Sequence, residues 1–166
     1  VEVNPEYVAI GKKLVPEAEW HCADVMDKDF MLSLGHFDHA ISNPPFGKVH
    51  TFKNKEGFNY SGAESEYKVM DIASILANDI TFIVPHLSAG FKYSGVQYFQ
   101  KVESNKLKNF SKQTKIELEI GMGNDTTVLL NDRKGFKDID ILVEIACAET
   151  YDIERPSLKP LQCSLF

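Results

Sequence analysis

One short stretch, Asn43-Pro44-Pro45-Phe46, combines residue types that could bind and position a reacting group. It follows a run from Phe37 to Ser42 that predicts a mostly buried β-strand. The strand must end at the two prolines, because proline has no backbone donor and a fixed φ. The turn would then present the amide oxygen of Asn43, the carbonyl of Pro44 and the ring of Phe46 at the carboxyl edge of a sheet, where open α/β folds bind ligands. Two acceptors beside an aromatic face predict a site for a planar group that carries an NH2.

These four residues resemble the Asn/Asp-Pro-Pro-Tyr/Phe motif of S-adenosylmethionine-dependent methyltransferases that modify amino or amide nitrogens, above all the adenine-N6 DNA methyltransferases. The resemblance implies that S-adenosylmethionine is the cofactor and that DNA with a flipped-out adenine is the substrate. It also implies a catalytic role for Asn43, Pro44, Pro45 and Phe46, with the two oxygens binding the amine and the ring stacking on the base. The implied type of protein is a restriction-modification methyltransferase or a solitary one.

The resemblance also assigns the cofactor-binding residues. In this family an acidic residue at the end of the second strand binds the ribose hydroxyls, and Glu2 with Val3 matches that pattern. A second acidic residue, at the end of the third strand, accepts from the adenine amine, and Asp24 with Val25 matches it. The spacing from each acid to the next and on to Asn43 is about one strand-helix unit. All three side chains are therefore expected at the same edge of the sheet, and Asn43 is expected to contribute to cofactor binding as well.

The glycine-rich loop that holds the methionine part of the cofactor in this family has no match in the sequence. Gly121-Met122-Gly123 is not a substitute, because Asn124 to Thr127 follow it rather than a helix. Residues 1–166 are therefore expected to form a single methyltransferase-like catalytic domain that is incomplete at its N-terminus. We expect a missing N-terminal segment or a partner chain to supply the first strand, which lies between the second and fourth strands in this family.

Strand-like and helix-like segments alternate along the chain, which predicts an α/β fold with a mostly parallel sheet. The resemblance implies more specifically a Rossmann-like class I methyltransferase sheet that lacks its first strand and has an antiparallel strand near the C-terminus. Helices are predicted over 5–14, 63–77 and 96–110, and a short helix or a turn over 27–34. Strands are predicted over 18–25, 37–42, 79–85, 116–120, 126–130 and 139–148, and residues 1–3 are predicted to be the end of a strand.

The formal net charge of −6 argues against a surface that binds nucleic acid over its whole extent, so any such contact must be local. Residues 91–115 hold six lysines and one glutamate, which indicates either a solvated helix face or a phosphate-binding patch. Lysines close to the motif could extend that patch. The candidate nucleic-acid-binding residues are Lys48, Lys53, Lys55 and Lys92.

Other residue types predict no further chemistry. Cys22, Cys147 and Cys163 are widely spaced, which predicts neither a disulfide framework nor a zinc site. No metal is predicted at Asp38 and His39, because neighbouring residues on a strand point to opposite faces. No apolar run approaches the ~18 residues of a membrane span, and a cytoplasmic location is expected.

Two alternatives to adenine methylation in DNA stay open from the sequence. An RNA base or a protein glutamine side chain could accept the methyl group, since enzymes that act on them use similar Asn-Pro-Pro turns. The chain could instead be a catalytically inactive methyltransferase-like subunit that only binds nucleic acid or a partner protein, because the glycine-rich loop is missing.

Overall fold

The computed structural model of the chain describes residues 1–48, 58–121, 123, 125–127 and 141–153. These residues form an α/β fold with a four-stranded mixed sheet and a separate two-stranded hairpin. The helices are α1 (Pro5–Leu14), α2 (Lys28–Ser33), α3 (Ser65–Leu76), α4 (His86–Ala89) and α5 (Asn105–Thr114). The strands are β1 (Phe37–Ser42), β2 (Ala77–Pro85), β3 (Phe91–Lys92), β4 (Gln100–Lys101), β5 (Glu119–Ile120) and β6 (Val143–Glu149).

The strand order in the sheet is β1-β2-β6-β5. Strands β1 and β2 are parallel, with Phe37 opposite Ala77, because helix α3 carries the chain back between them. Strand β6 lies between β2 and β5 and is antiparallel to both. The predicted α/β alternation is therefore confirmed. The prediction of a mostly parallel sheet holds for β1 and β2, whereas both pairings of the last strand are antiparallel.

Helix α3 is the centre of the core, since all twelve of its residues are buried. Tyr67 of this helix stacks on Phe110 of α5 with ring centroids 4.4 Å apart, and Tyr60 packs edge-on against both rings. These three rings are at most 2% exposed. Their packing joins α3 to α5 and to the described part of the loop before α3.

Strand β1 is more exposed than the sequence predicts. Phe37 is 41% exposed and Ile41 is 79% exposed, whereas Ala40 on the opposite face packs against the core. Among the described residues β1 forms the edge of the sheet, with β2 as its single neighbour. The prediction of a mostly buried strand is wrong because it assumes that both faces of β1 are covered.

The strand predicted over 18–25 does not form. A single parallel bridge pairs Cys22 with Glu2, and Cys22 is exposed rather than buried. The pairing cannot extend, because α1 begins at Pro5 and carries the chain away. On the other side Asp24 starts a turn by accepting a hydrogen bond from the Met26 backbone N–H at 2.9 Å.

Side-chain caps mark the start of α1, α2 and α5. Helix α1 begins at Pro5 as predicted, and the Asn4 side chain accepts a hydrogen bond from the backbone of its first turn. The helix predicted over 96–110 is wrong at its start, because α5 begins only after Ser104, whose hydroxyl accepts from the Leu107 backbone N–H at 3.4 Å. The preceding segment forms the hairpin of β3 and β4. Of the helices in the described part of the chain, none has the length and apolar character needed to cross a membrane.

Candidate functional site

The predicted turn follows β1 directly and lies beside the carboxyl-terminal part of β2, because the two strands are in parallel register up to Ser42. In the turn, Asn43 and Pro45 are exposed, Pro44 is buried and Phe46 is half-buried. No described residue donates a hydrogen bond to the side-chain oxygen of Asn43 or to the carbonyl of Pro44. Within the described part of the chain both acceptors are therefore unpaired, with Asn43 exposed to solvent and Pro44 buried.

A buried carboxylate fixes the end of this turn. The backbone N–H of Gly47 donates to Glu66 Oε2 at 2.8 Å, and the carbonyl of Gly47 accepts from the Ser65 backbone N–H at 2.8 Å. The second oxygen of Glu66 accepts from the Ser88 hydroxyl at 2.8 Å, in the segment that follows β2. Glu66 is 2% exposed, and both of its hydrogen bonds are partly buried. It therefore ties the turn after β1 to the first turn of α3 and to helix α4.

The sequence pattern does not single out Glu66. An acidic residue in the first turn of a helix is common, because it interacts favourably with the helix dipole. Its role here depends on Gly47, which has a φ of +72° that favours glycine. Only the spatial approach of the turn to α3 reveals the pair.

The two predicted cofactor-binding acids lie close to each other. The Glu2 backbone N–H donates to His21 O at 3.0 Å, and the Ala23 backbone N–H donates to Glu2 O at 3.1 Å. Asp24 follows this bridge directly. One oxygen of Glu2 accepts from the Asn4 backbone N–H at 2.7 Å, and one oxygen of Asp24 accepts from a backbone N–H of its own turn. The second oxygen of each carboxylate has no hydrogen bond from a described residue.

A largely apolar cavity of about 620 Å³ lies between this bridged segment and β1. It runs along β1 from Phe37 to Ser42, and residues of α2 and α3 form other parts of its wall. Val1, Val25 and Ser42 also line it, and each is the sequence neighbour of one predicted site residue: Glu2, Asp24 and Asn43. The three segments that carry the predicted acids and the turn therefore reach one cavity. Val25 is the predicted site residue that lines it, whereas Glu2, Asp24 and the turn residues Asn43 to Phe46 are not part of its lining. Val3 is exposed and is not part of its lining.

Buried carboxylates also hold the described part of the loop between the turn and α3. Asp71, which is 1% exposed, accepts from the backbone N–H groups of Asn59 and Tyr60 at 2.6 and 2.9 Å. Glu64 binds Lys106 Nζ at 2.6 Å and accepts from the Tyr60 hydroxyl. Burial alone would raise the pKa of Glu64, but the hydrogen bonds from Lys106 and Tyr60 outweigh it and lower the pKa to about 2. The loop is thus anchored at two points to the packed core.

The predicted nucleic-acid-binding lysines are only partly described. Lys48 is exposed directly after the turn, and Lys92 is half-buried at the start of the hairpin. Lys53 and Lys55 lie outside the described residues. Within the described ranges, His, Cys, Asp and Glu side chains form no group of three that could hold a metal ion.

The predicted turn, the two acids and the cavity thus belong to one region on the β1 side of the sheet. The lysines of residues 91–115 lie beyond β2 in the chain and do not line that cavity. A comparison with known proteins found no family model and no curated protein that matches the chain.

Proposed function

We propose that the chain transfers a methyl group from S-adenosylmethionine to an exocyclic amino nitrogen, and that the substrate is adenine N6 in DNA. The observation that carries this proposal is the turn after β1. It offers an exposed Asn43 side chain and a half-buried Phe46 ring, and the hydrogen bonds of Gly47 to α3 hold its end in place. Two free acceptors next to an aromatic ring, held on a rigid element, suit a flat ring with an NH2 group.

The chemistry needs positioning more than it needs a base. The lone pair of an aromatic amine is delocalised into its ring, so the amine is a poor nucleophile. Asn43 Oδ1 and the Pro44 carbonyl would accept the two amine hydrogens, favour a pyramidal nitrogen and direct its lone pair outward. Phe46 would stack on the base, which offsets part of the cost of taking it out of a duplex. When bound, S-adenosylmethionine supplies an electrophilic methyl group on a sulfonium whose leaving group is a neutral thioether, so no strong base is required.

The two predicted acids suit the proposed cofactor, although they lie next to the cavity lining in sequence and are not part of it. Glu2 and Asp24 each keep one carboxylate oxygen for a hydroxyl or an amine, and a carboxylate suits a vicinal diol. Val25 lines the cavity wall and offers apolar surface to a planar ring.

The order and direction of the strands also support a class I methyltransferase sheet, which is part of the same proposal. The resemblance implies that the last strand is antiparallel and inserted between parallel strands. Strand β6 lies between β2 and β5 and is antiparallel to both. The free edge of β1 and the apolar cavity beside it fit one more strand, parallel to β1, from a further segment or a partner chain. Such a strand would cover Phe37 and Ile41, which are exposed.

The test is transfer of a labelled methyl group from S-adenosylmethionine to DNA, RNA and protein in separate reactions. We expect label in DNA, at adenine N6, and a loss of about a hundredfold in rate with Asn43→Ala because the amine is no longer held. Asn109→Ala, at an exposed position of α5, is the matched control and should keep the wild-type rate.

Label in RNA or in a glutamine side chain would keep the chemistry and change the substrate class. Label in none of the three would contradict the enzymatic proposal and favour a subunit that only binds. An Asn43→Ala variant with the wild-type rate would contradict the role given to the turn.

A further inference from the structure

A groove of about 600 Å³ lies beside α5, and four exposed lysines are among the residues that line it. The residues that α5 and its two caps contribute recur three or four positions apart, so they lie on one side of the helix. They are Ser104, Leu107, Lys108, Ser111, Lys112 and Lys115, and Lys101 lines the groove from strand β4. The four lysines therefore belong to one surface.

The opposite side of α5 is used by the fold. There Lys106 Nζ binds Glu64 at 2.6 Å, and the Gln113 side chain forms two hydrogen bonds of 2.8 Å with Ser61. These contacts attach the helix to the described part of the loop before α3. The polar side chains that the helix uses for its packing therefore lie away from the groove.

The lysines of the groove carry more positive charge than the described acids beside them neutralise. Lys108 binds Glu103 at 2.6 Å, so one lysine and one acid of the lining neutralise each other. Glu117 is the remaining acid among the described lining residues. The lysines that form no ion pair with a described residue are Lys101, Lys112 and Lys115. In a protein whose net charge is −6, this local excess of positive charge favours a polyanionic partner.

The groove begins one residue beyond the segment that holds the predicted turn. Ala89 and Gly90 line it, and Ser88, which precedes them, donates a hydrogen bond to Glu66 at 2.8 Å. The other oxygen of Glu66 holds Gly47 at the end of the turn. The Cα atoms of Ser88 and Gly90 are at most about 7.6 Å apart, which is short against the ~34 Å of one turn of a DNA duplex. A duplex bound at the turn is therefore long enough to reach the groove as well.

We propose that the groove beside α5 binds the phosphate backbone of a DNA duplex, through Lys101, Lys112 and Lys115. Lysine binds phosphate as a point charge and reads no base, so these contacts hold the duplex without selecting its sequence. Their contribution to affinity comes from the release of counterions, so it falls as the salt concentration rises. This inference rests on the proposed function and deepens it, because it names a surface that holds the duplex whose adenine reacts.

The test is the affinity of the 166-residue chain for a fluorescein-labelled DNA duplex of about two helical turns, measured by fluorescence anisotropy at several salt concentrations. Lys112→Gln should make the slope of log affinity against log salt shallower by about 0.9 and weaken binding roughly eightfold at ~0.1 M salt. Lys112→Arg should restore both, because it keeps the charge. Lys12→Gln is the matched control, since Lys12 is likewise exposed in the last turn of a helix, and it should bind as the wild type does.

Several results would overturn the inference. No measurable binding of the duplex by the wild type, wild-type affinity and salt dependence in Lys112→Gln, an equal loss in Lys12→Gln, or failure of Lys112→Arg to restore binding would each do so. Tighter binding of an RNA duplex, or of vesicles that contain anionic lipids, would show that the groove serves another polyanion.

Labelled-methyl transfer is scored separately, so the two proposals can fail independently. Duplex binding that depends on Lys112, without any methyl transfer, would contradict the proposed function alone. Methyl transfer to DNA by the wild type, together with wild-type affinity in Lys112→Gln, would contradict this inference alone.

Discussion

The two sides of strand β1 are built differently. On the packed side, which comprises α3, β2, α5 and β6, apolar side chains form a continuous core. On the open side, which comprises residues 1–36, the buried apolar side chains are Val8 and Met26. A cavity of about 620 Å³ separates the open side from β1. The predicted site therefore lies at a boundary, with its turn fixed by the packed side and its two acids carried by the open side.

This difference has an energetic consequence. Gly47 is held by buried hydrogen bonds to α3, whereas the bridge between Glu2 and Cys22 joins two segments that bury little apolar surface. Burial of apolar area contributes most of the stability of a domain, about 25 cal/mol per Å². We therefore expect the open side to open locally at a lower free energy than the packed side.

The largest expected effect is a contrast between two phenylalanines. Phe110→Ala removes a ring that is 0% exposed and stacks on Tyr67, and it should lower the free energy of unfolding by about 3–5 kcal/mol. Phe37→Ala, at a position 41% exposed beside the cavity, should change it by less than about 1 kcal/mol. Urea unfolding followed by circular dichroism measures both. Equal losses would show that the two sides are packed alike.

A smaller effect is expected where the packed side holds the turn. Glu66→Ala leaves the Gly47 N–H and the Ser88 hydroxyl without their buried acceptor, which should cost about 1–3 kcal/mol. Glu66→Gln should cost less, because its amide oxygen can accept from Gly47 while the serine hydroxyl rotates to accept from its amide nitrogen. Amide hydrogen exchange at Gly47 should rise in Glu66→Ala and stay close to wild type in Glu66→Gln. Unchanged exchange at Gly47 in both variants would show that Glu66 does not hold the end of the turn.

The smallest expected effect concerns pH at the rim of the packed side. Because the folded pKa of Glu64 is lowered from 4.5 to about 2, its stabilisation is complete above about pH 4.5 and is lost as the pH falls towards 2. Its partner Lys106 is largely exposed, so we expect a contribution of about 1–2 kcal/mol after screening by solvent.

The matched control is an exposed ion pair with the same separation, Glu103 and Lys108 at 2.6 Å. Between pH 5 and 2 the free energy of unfolding should change by about 1–2 kcal/mol less in Glu64→Gln than in the wild type, and nearly as in the wild type in Glu103→Gln. The opposite ranking would mean that burial of Glu64 does not strengthen its ion pair.

Local signals in the sequence predict much of this fold. The run before the prolines predicts β1 with the bounds that the structure has, and Asn4 with Pro5 predicts the start of α1. The apolar run before Pro85 predicts β2 to within two residues at its start. Each of these features depends on residues that are neighbours in the chain, so its signal is visible in the sequence.

The sequence by itself determined where β1 ends and where α1 begins, because prolines and caps act on the backbone within a few residues. Only the tertiary structure decided that β1 is an exposed edge, that residues 18–25 form one bridge, and that a hairpin precedes α5. It also decided that Glu66 holds Gly47. These outcomes depend on which distant segments approach one another, and the burial and hydrogen bonding that result are not properties of any local run of residues.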